Sequence, residues 1–329
     1  PLGHDEVAGL AFDGTQKLEP EEPRLVVDGV RAVGEPLLQL RTCVGRYLDG
    51  VDLHHRVLGG HGLQATARGR HDDPMDLLTC RGGEGRPLVL VHGLMGRGST
   101  WSRQLPWLTQ HGRVFTYDAP WHRGRDVPDP YPISTERFVA DLGAAVQEAV
   151  ASSGEPAVLV GHSMGALHSW CLAAERPELV AAVVVEDMAP DFRGRTTGPW
   201  EPWVHALPVE FDTAEQVFAE FGPVAGQYFL EAFDRTESGW RLHGHPETWI
   251  EIAAEWGRRD YWKQWRAVSV PTLLLEAEGS VAPQGQMVAM SEMTSRATYV
   301  HVPGAGHLIH DDAPMKYREA VEAFLSTFT

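Results

Sequence analysis

The sequence predicts an α/β fold: a mostly parallel central sheet flanked by helices, interrupted by a helical insertion. Three observations carry that expectation. Short continuous apolar runs recur, as in strands buried on both faces. Helical stretches separate them, which implies right-handed crossovers and parallel pairing. The alternation then breaks between about 191 and 265, where the pattern turns helical and seven of the 11 Trp gather.

Taken in order, residues 1–35 are acidic, contain Pro and Gly, and show no sustained period, so they read as irregular. The apolar spacing of "PLLQLRTCVGRYLD" (36–49) suits a helix. "MDLLTC" (75–80) reads as a strand closed by the turn "RGGEGR", and "PLVLVHG" (87–93) as a strand buried on both faces. An amphipathic stretch at 100–110 precedes the strand candidate "RVFTYDAP" (113–120). A helix follows over 136–154, ending at Gly154. "AVLVGHS" (157–163), "VAAVVVED" (180–187), "PTLLLEAE" (271–278) and "ATYVHVPG" (297–304) are further strands, and the last helix covers roughly 313–327. The expected organisation is an N-terminal extension at 1–50, a core at 51–190 and 266–329, and a helical cap at 191–265. The cap's Trp residues, Trp200 and Trp203 among them, either line a ligand pocket or fill the cap's own small core.

The 329 residues exceed what one compact core usually holds, in keeping with a main domain plus an insertion. A formal net charge of −17 argues against nucleic acid or anionic lipid as a partner. No apolar run reaches the ~18 residues of a membrane span, so stable membrane insertion is not expected. Cys43, Cys80 and Cys171 are few and irregularly spaced, which argues against a disulfide framework or zinc site and for a reducing, cytoplasmic setting. The opening "PLGH" reads as a remnant of cloning rather than a targeting signal.

The chemistry-bearing residues start with "LVGHSMG". Gly161-His162-Ser163-Met164-Gly165 is a Gly-x-Ser-x-Gly pattern between an apolar strand and an amphipathic helix. That context describes a tight turn presenting a nucleophilic Ser163, with glycines where side chains would collide. The bland reading is an ordinary turn whose serine caps the helix. In "LVLVHGLMG", His92-Gly93-Leu94 follow a buried strand. The Leu94 and Met164 N–H groups are then the expected pair of oxyanion donors. His92 and Gly93 are candidates for substrate contact, although loop support is the plainer role for His92. In "GAGHLIHDD", His307 is the candidate general base. His310, three residues on, reads as a surface or helix-start residue.

Together "VHGLMG", "YDAP" (117–120), "VGHSMG", "VVVEDMAP" (183–190) and "VPGAGHLIHDDAP" (302–314) resemble the α/β-hydrolase family, in its cap-bearing esterase and epoxide-hydrolase-like branch. The resemblance spans about residues 75–329. It implies the α/β-hydrolase fold and an acid between Ser163 and His307 in chain order. Relatives often carry Asp-x-Pro-Gly-His-Gly where this chain has "DAPWHRG". Trp121 replaces that glycine, which predicts a loop of its own shape.

The acid is the second departure. In most relatives it sits in the turn after the strand preceding the histidine strand, and Gly279 stands there. Glu278 is one residue short, and such an offset reverses side-chain direction in an extended segment. Some relatives place the acid one strand earlier, which here means Asp187. Asp187 is therefore the preferred acid, with Glu278 and Glu186 left as alternatives; a turn cap at the entrance to the cap is the bland role for Asp187.

These residues imply a cofactor-free, metal-free serine hydrolase of small-molecule carboxylic esters with short to medium acyl chains. Thioesterase, lactonase, C–C hydrolase and perhydrolase chemistry share the same groups. A non-catalytic ligand receptor is the rival from another class, and an N-terminal partner-binding arm is compatible with either.

Overall fold

The computed structural model describes residues 78–122, 127, 131–198 and 201–328. The expected extension at 1–50, the helix at 36–49, Cys43 and Trp200 lie outside the described residues.

Seven strands form the main sheet: β1 (Leu78–Gly82), β2 (Pro87–Val91), β3 (Arg113–Tyr117), β4 (Ala157–His162), β5 (Val180–Glu186), β9 (Thr272–Gly279) and β10 (Ala297–Gly306), in the order β1-β3-β2-β4-β5-β9-β10. Only β1 is antiparallel to its neighbour. The central strands are continuous Val/Leu runs because helices cover both faces. Every residue of β2 and β4 is buried. One layer packs the helices Thr135–Ser153 and Met164–Glu175 against the sheet, and the other packs Trp101, Trp107 and the helix Pro314–Leu325.

Local chemistry sets the helix ends. The Ser134 hydroxyl accepts the Arg137 N–H at the start of Thr135–Ser153, and Gly154 closes it in the left-handed conformation at φ 77°. The amphipathic stretch at 100–110 holds the end of one short helical piece, Gly98–Trp101, and the whole of another, Leu105–Leu108.

The 191–265 insertion is not wholly helical. Helices Glu201–His205, Ala214–Ala232, Pro246–Trp256 and Trp262–Ala267 are joined by a three-stranded antiparallel sheet of β6 (Glu210–Phe211), β7 (Asp234–Arg235) and β8 (Trp240–Arg241). Strands of two residues are too short to leave an alternating apolar pattern in sequence. The long helix breaks at Gly222, φ 79°, just before Pro223, a residue that no unbroken helix accommodates. Arg97 donates to the carbonyls of Phe233 and Glu231, and Ser99 Oγ to that of Glu231, so the insertion is stitched to the loop after β2.

Candidate active site

The carboxyl ends of β2, β4, β5 and β9 meet at one edge of the sheet, where open α/β folds bind ligands. His162 on β4 is in register with Glu186 on β5, and Glu186 with Leu275 on β9. Ser163 and Asp187 therefore leave adjacent strands at the same level. Both adopt positive φ, 52° and 48°, which is uncommon for non-glycine residues and turns each side chain out of its strand's alternation.

Close packing explains the glycines around Ser163. A Cβ on Gly165 would lie 2.2 Å from the Val91 carbonyl oxygen, and one on Gly161 would lie 2.6 Å from the Ala166 Cα. The Ser163 hydroxyl does not cap the helix it precedes. The Ser163 N–H is held by the Glu186 carbonyl at 2.9 Å.

Asp187 is fully buried, and His307 is partly open to solvent. The His307 Nδ1–H donates to Asp187 Oδ2 at 2.7 Å. The same carboxylate accepts the Ala277 N–H at 3.1 Å and the Val281 N–H at 3.2 Å. Asp187 thus reaches from β5 into the turn after β9. Gly279 pairs with Gly306, the residue before His307, in extended conformation. Glu278 is exposed and accepts the Gly304 N–H at 2.6 Å, tying down the bulge in β10. Glu186 turns to another partner, His310.

The loop after β2 is held by three imidazoles. His92 Nε2 accepts the Ala119 N–H at 3.0 Å, so its Nδ1–H donates to the Gly93 carbonyl at 2.8 Å. His122 Nε2 accepts the Met95 N–H at 3.3 Å, and its Nδ1–H donates to the Pro120 carbonyl. His243, from the insertion, donates from Nε2 to the Met95 carbonyl at 3.1 Å. Burial pushes all three below the usual histidine range, His243 to about 4, which suits these neutral tautomers. The arrangement leaves the N–H groups of Leu94 and Met164 without a partner among the described residues.

Two expectations need correction. His92, weighed for substrate contact, is buried with both nitrogens bonded to backbone and has none left for a ligand. His310 does stand at the start of a short helix, Ile309–Asp312, but it is not a surface residue; it is 1 % exposed and bound to Glu186. The other named positions fall as follows. Gly93 serves close approach, since a Cβ there would meet His162 Nδ1 at 2.6 Å. Trp203 packs edge-on to Phe221 in the insertion's own aromatic cluster. Trp121 adopts φ 65°, a left-handed conformation that usually favours glycine.

Sequence reasoning missed Tyr228. This residue of the helix Ala214–Ala232 is buried, lies edge-on to His162 at 6.2 Å, and places its hydroxyl where a Cβ on Gly96 would sit 2.0 Å away. Nothing short-range in "GQYFLEAF" marks it, because the contact depends on how the insertion folds back. Among the described residues, no three His, Cys, Asp or Glu side chains are grouped to hold a metal ion.

A sequence model described as the alpha/beta hydrolase family matches residues 88–320. The chain belongs to that family. It is similar to a probable protein phosphatase methylesterase 1 of Caenorhabditis elegans, 26% identical over 265 residues, covering 74% of this chain and 70% of the relative. It is also similar to the sn-1-specific diacylglycerol lipase ABHD11 of Mus musculus, 27% identical over 258 residues, covering 73% and 80%. Among solved structures, an E-2-(acetamidomethylene)succinate hydrolase superposes with a TM-score of 0.66 at 22% identity, covering 76% of this chain and 94% of that one, which bears on the fold alone. The relatives are hydrolases of several kinds, and hydrolase is the class this chain shares with them.

Proposed function

We propose that this hydrolase cleaves carboxylic esters through an acyl-enzyme on Ser163. The observation that carries the reading is the His307–Asp187 contact beside a strained Ser163 whose hydroxyl is uncommitted. Ser163 Oγ attacks the ester carbonyl, and its proton passes to His307 Nε2. Asp187 fixes the His307 tautomer with Nδ1–H and stabilises the imidazolium. The Leu94 and Met164 N–H groups hold the oxyanion, aided by the positive end of the helix Met164–Glu175. His307 returns the proton to the leaving alkoxide, and water then attacks the acyl-enzyme by the same relay.

Relatives named as a methylesterase and a diacylglycerol lipase support an ester substrate. An insertion tied to the oxyanion loop through Arg97 and Ser99 favours short and medium acyl chains. The free thiols Cys80 and Cys171 support a cytoplasmic setting. Among the described residues no helix is long and apolar enough to cross a membrane.

The test is Ser163→Ala with a fluorophosphonate probe and a series of p-nitrophenyl esters. Wild-type protein should label at residue 163 and prefer soluble short and medium esters. The variant should neither label nor turn over. Turnover by the variant within tenfold of wild type would refute the assignment, and preference for emulsified long-chain triglyceride would refute the chain-length reading.

A further inference from the structure

Consecutive residues at the end of β5 hold two histidines of one short segment. Asp187 binds His307. Glu186, fully buried, binds His310: Oε1 accepts the His310 Nδ1–H at 2.8 Å and the His310 backbone N–H at 3.0 Å, and Oε2 lies 2.9 Å from Nδ1. The His310 ring stacks on Trp101 with centroids 4.7 Å apart, and its carbonyl accepts the Gln104 amide at 2.6 Å. Residue 310 is thus gripped at its N–H, its ring and its C=O.

The packing role alone does not call for these residue types. An apolar pair of similar volume fills such a space at no desolvation cost, whereas a buried carboxylate and imidazole must offset one another. What the polar pair adds is direction, because a carboxylate aimed at one N–H and one ring nitrogen fixes the backbone at 310. That point lies one turn from His307. A third imidazole links the two: His162, next to Ser163, lies 4.6 Å from the His307 ring and 5.3 Å from the His310 ring, and its Nε2–H donates to the His307 carbonyl at 3.1 Å.

We propose that Glu186 and His310 form a positioning pair that holds the 307–310 segment so that His307 stays aimed at Ser163. The proposal rests on the serine-hydrolase reading. The groups facing His310 are Glu186 on β5, Asp311 beside it, Arg103 paired to Asp311 at 2.7 Å, His162 on β4, Tyr228 from the insertion and Tyr317 from the last helix. Burial pulls the His310 imidazole down, but the Glu186 and Asp311 carboxylates overcome it and raise it to about 9.

Hydrolysis of p-nitrophenyl butyrate across pH, with fluorophosphonate labelling rates, tests this in wild type, His310→Gln and Glu186→Asp. In His310→Gln, kcat should fall roughly ten- to hundredfold with KM nearly unchanged, the scale of a small misplacement of a catalytic group. Its acid limb in kcat/KM should also move to higher pH, because Glu186 is left as an uncompensated anion near His307. Glu186→Asp keeps both charges but shortens the reach, so kcat should fall about three- to tenfold with the acid limb unmoved. A filler role would lower thermal stability and move neither kinetic quantity. Folded His310→Gln with kcat within threefold of wild type and an unmoved acid limb overturns the proposal. Should that variant not fold, Glu186→Asp decides, and an unchanged kcat overturns it. A wild type that neither labels at Ser163 nor hydrolyses the ester overturns the serine-hydrolase reading instead, which separates the two failures.

Discussion

Asp187–His307 and Glu186–His310 are the same chemical contact built twice, from neighbouring acids and from histidines three residues apart. The first leaves an imidazole face open to solvent, while its carboxylate is satisfied by two backbone N–H groups. The second is sealed on every side, stacked on Trp101 and flanked by the Arg103–Asp311 ion pair. An acid–imidazole contact is therefore not by itself a catalytic signature. What separates the two is access: the His307 ring is partly open to solvent, whereas the His310 Nε2, although it has no hydrogen-bond partner, is sealed inside the protein.

The largest expected effect breaks the open pair. Asp187→Asn offers His307 Nδ1 a neutral partner able to donate as well as accept, which favours the wrong tautomer. We expect kcat to fall roughly 10²–10⁴-fold with little change in KM, because the lost interaction strengthens mainly as imidazolium forms. Steady-state kinetics on a soluble ester would show this, and near wild-type turnover would remove Asp187 from the triad. Fold should survive in part, since an amide oxygen still accepts one of the N–H groups that Asp187 now binds.

The comparison sharpens with pH, because the other buried imidazoles behave oppositely to His310. His92, His122, His162, His168 and His243 are all lowered, each chiefly by burial. The unfolded chain binds more protons than the native one below an unfolded histidine value of about 6.5, so these groups cost stability as pH falls through that value. The slope reaches about 1.4 kcal/mol per pH unit for each histidine. Thermal unfolding should show a steep loss of stability between about pH 6.5 and 5, well above the range in which carboxylates titrate. His310 is raised to about 9, so its contribution is fully present below about 6.5 and is lost as pH rises through about 9. A smaller decline in melting temperature is expected over that alkaline window, and it should be absent in His310→Gln. A flat profile on the alkaline side would mean that His310 is neutral.

How far the sequence reaches follows from the same contacts. The strands were legible because double burial forces continuous apolar runs, and the turn around Ser163 because two backbone contacts exclude any Cβ at Gly161 and Gly165. Asp187 was legible as a candidate for the displaced acid only through chain order and adjacent strands. The role of His310 was not legible, because a His in the first turn after a loop carries no sign of burial; that depends on Trp101 and Gln104, over 200 positions away. The short strands of the insertion were invisible because two residues set no period.

The smallest expected effect concerns Glu278, which sequence alone leaves as a rival to Asp187. One position before the usual site of the acid, it sits exposed near the end of β9 and accepts the Gly304 N–H. Glu278→Gln keeps an oxygen able to accept that hydrogen bond, and an exposed contact of this kind contributes on the order of 1 kcal/mol. We therefore expect kcat within about threefold of wild type and a barely altered melting temperature. The informative design measures this variant beside Asp187→Asn under the same conditions. If Glu278→Gln is crippled while Asp187→Asn is near wild type, then the β10 bulge rearranges in solution, and the acid comes from the turn after β9. The reverse pattern ties the base to Asp187, at the end of β5.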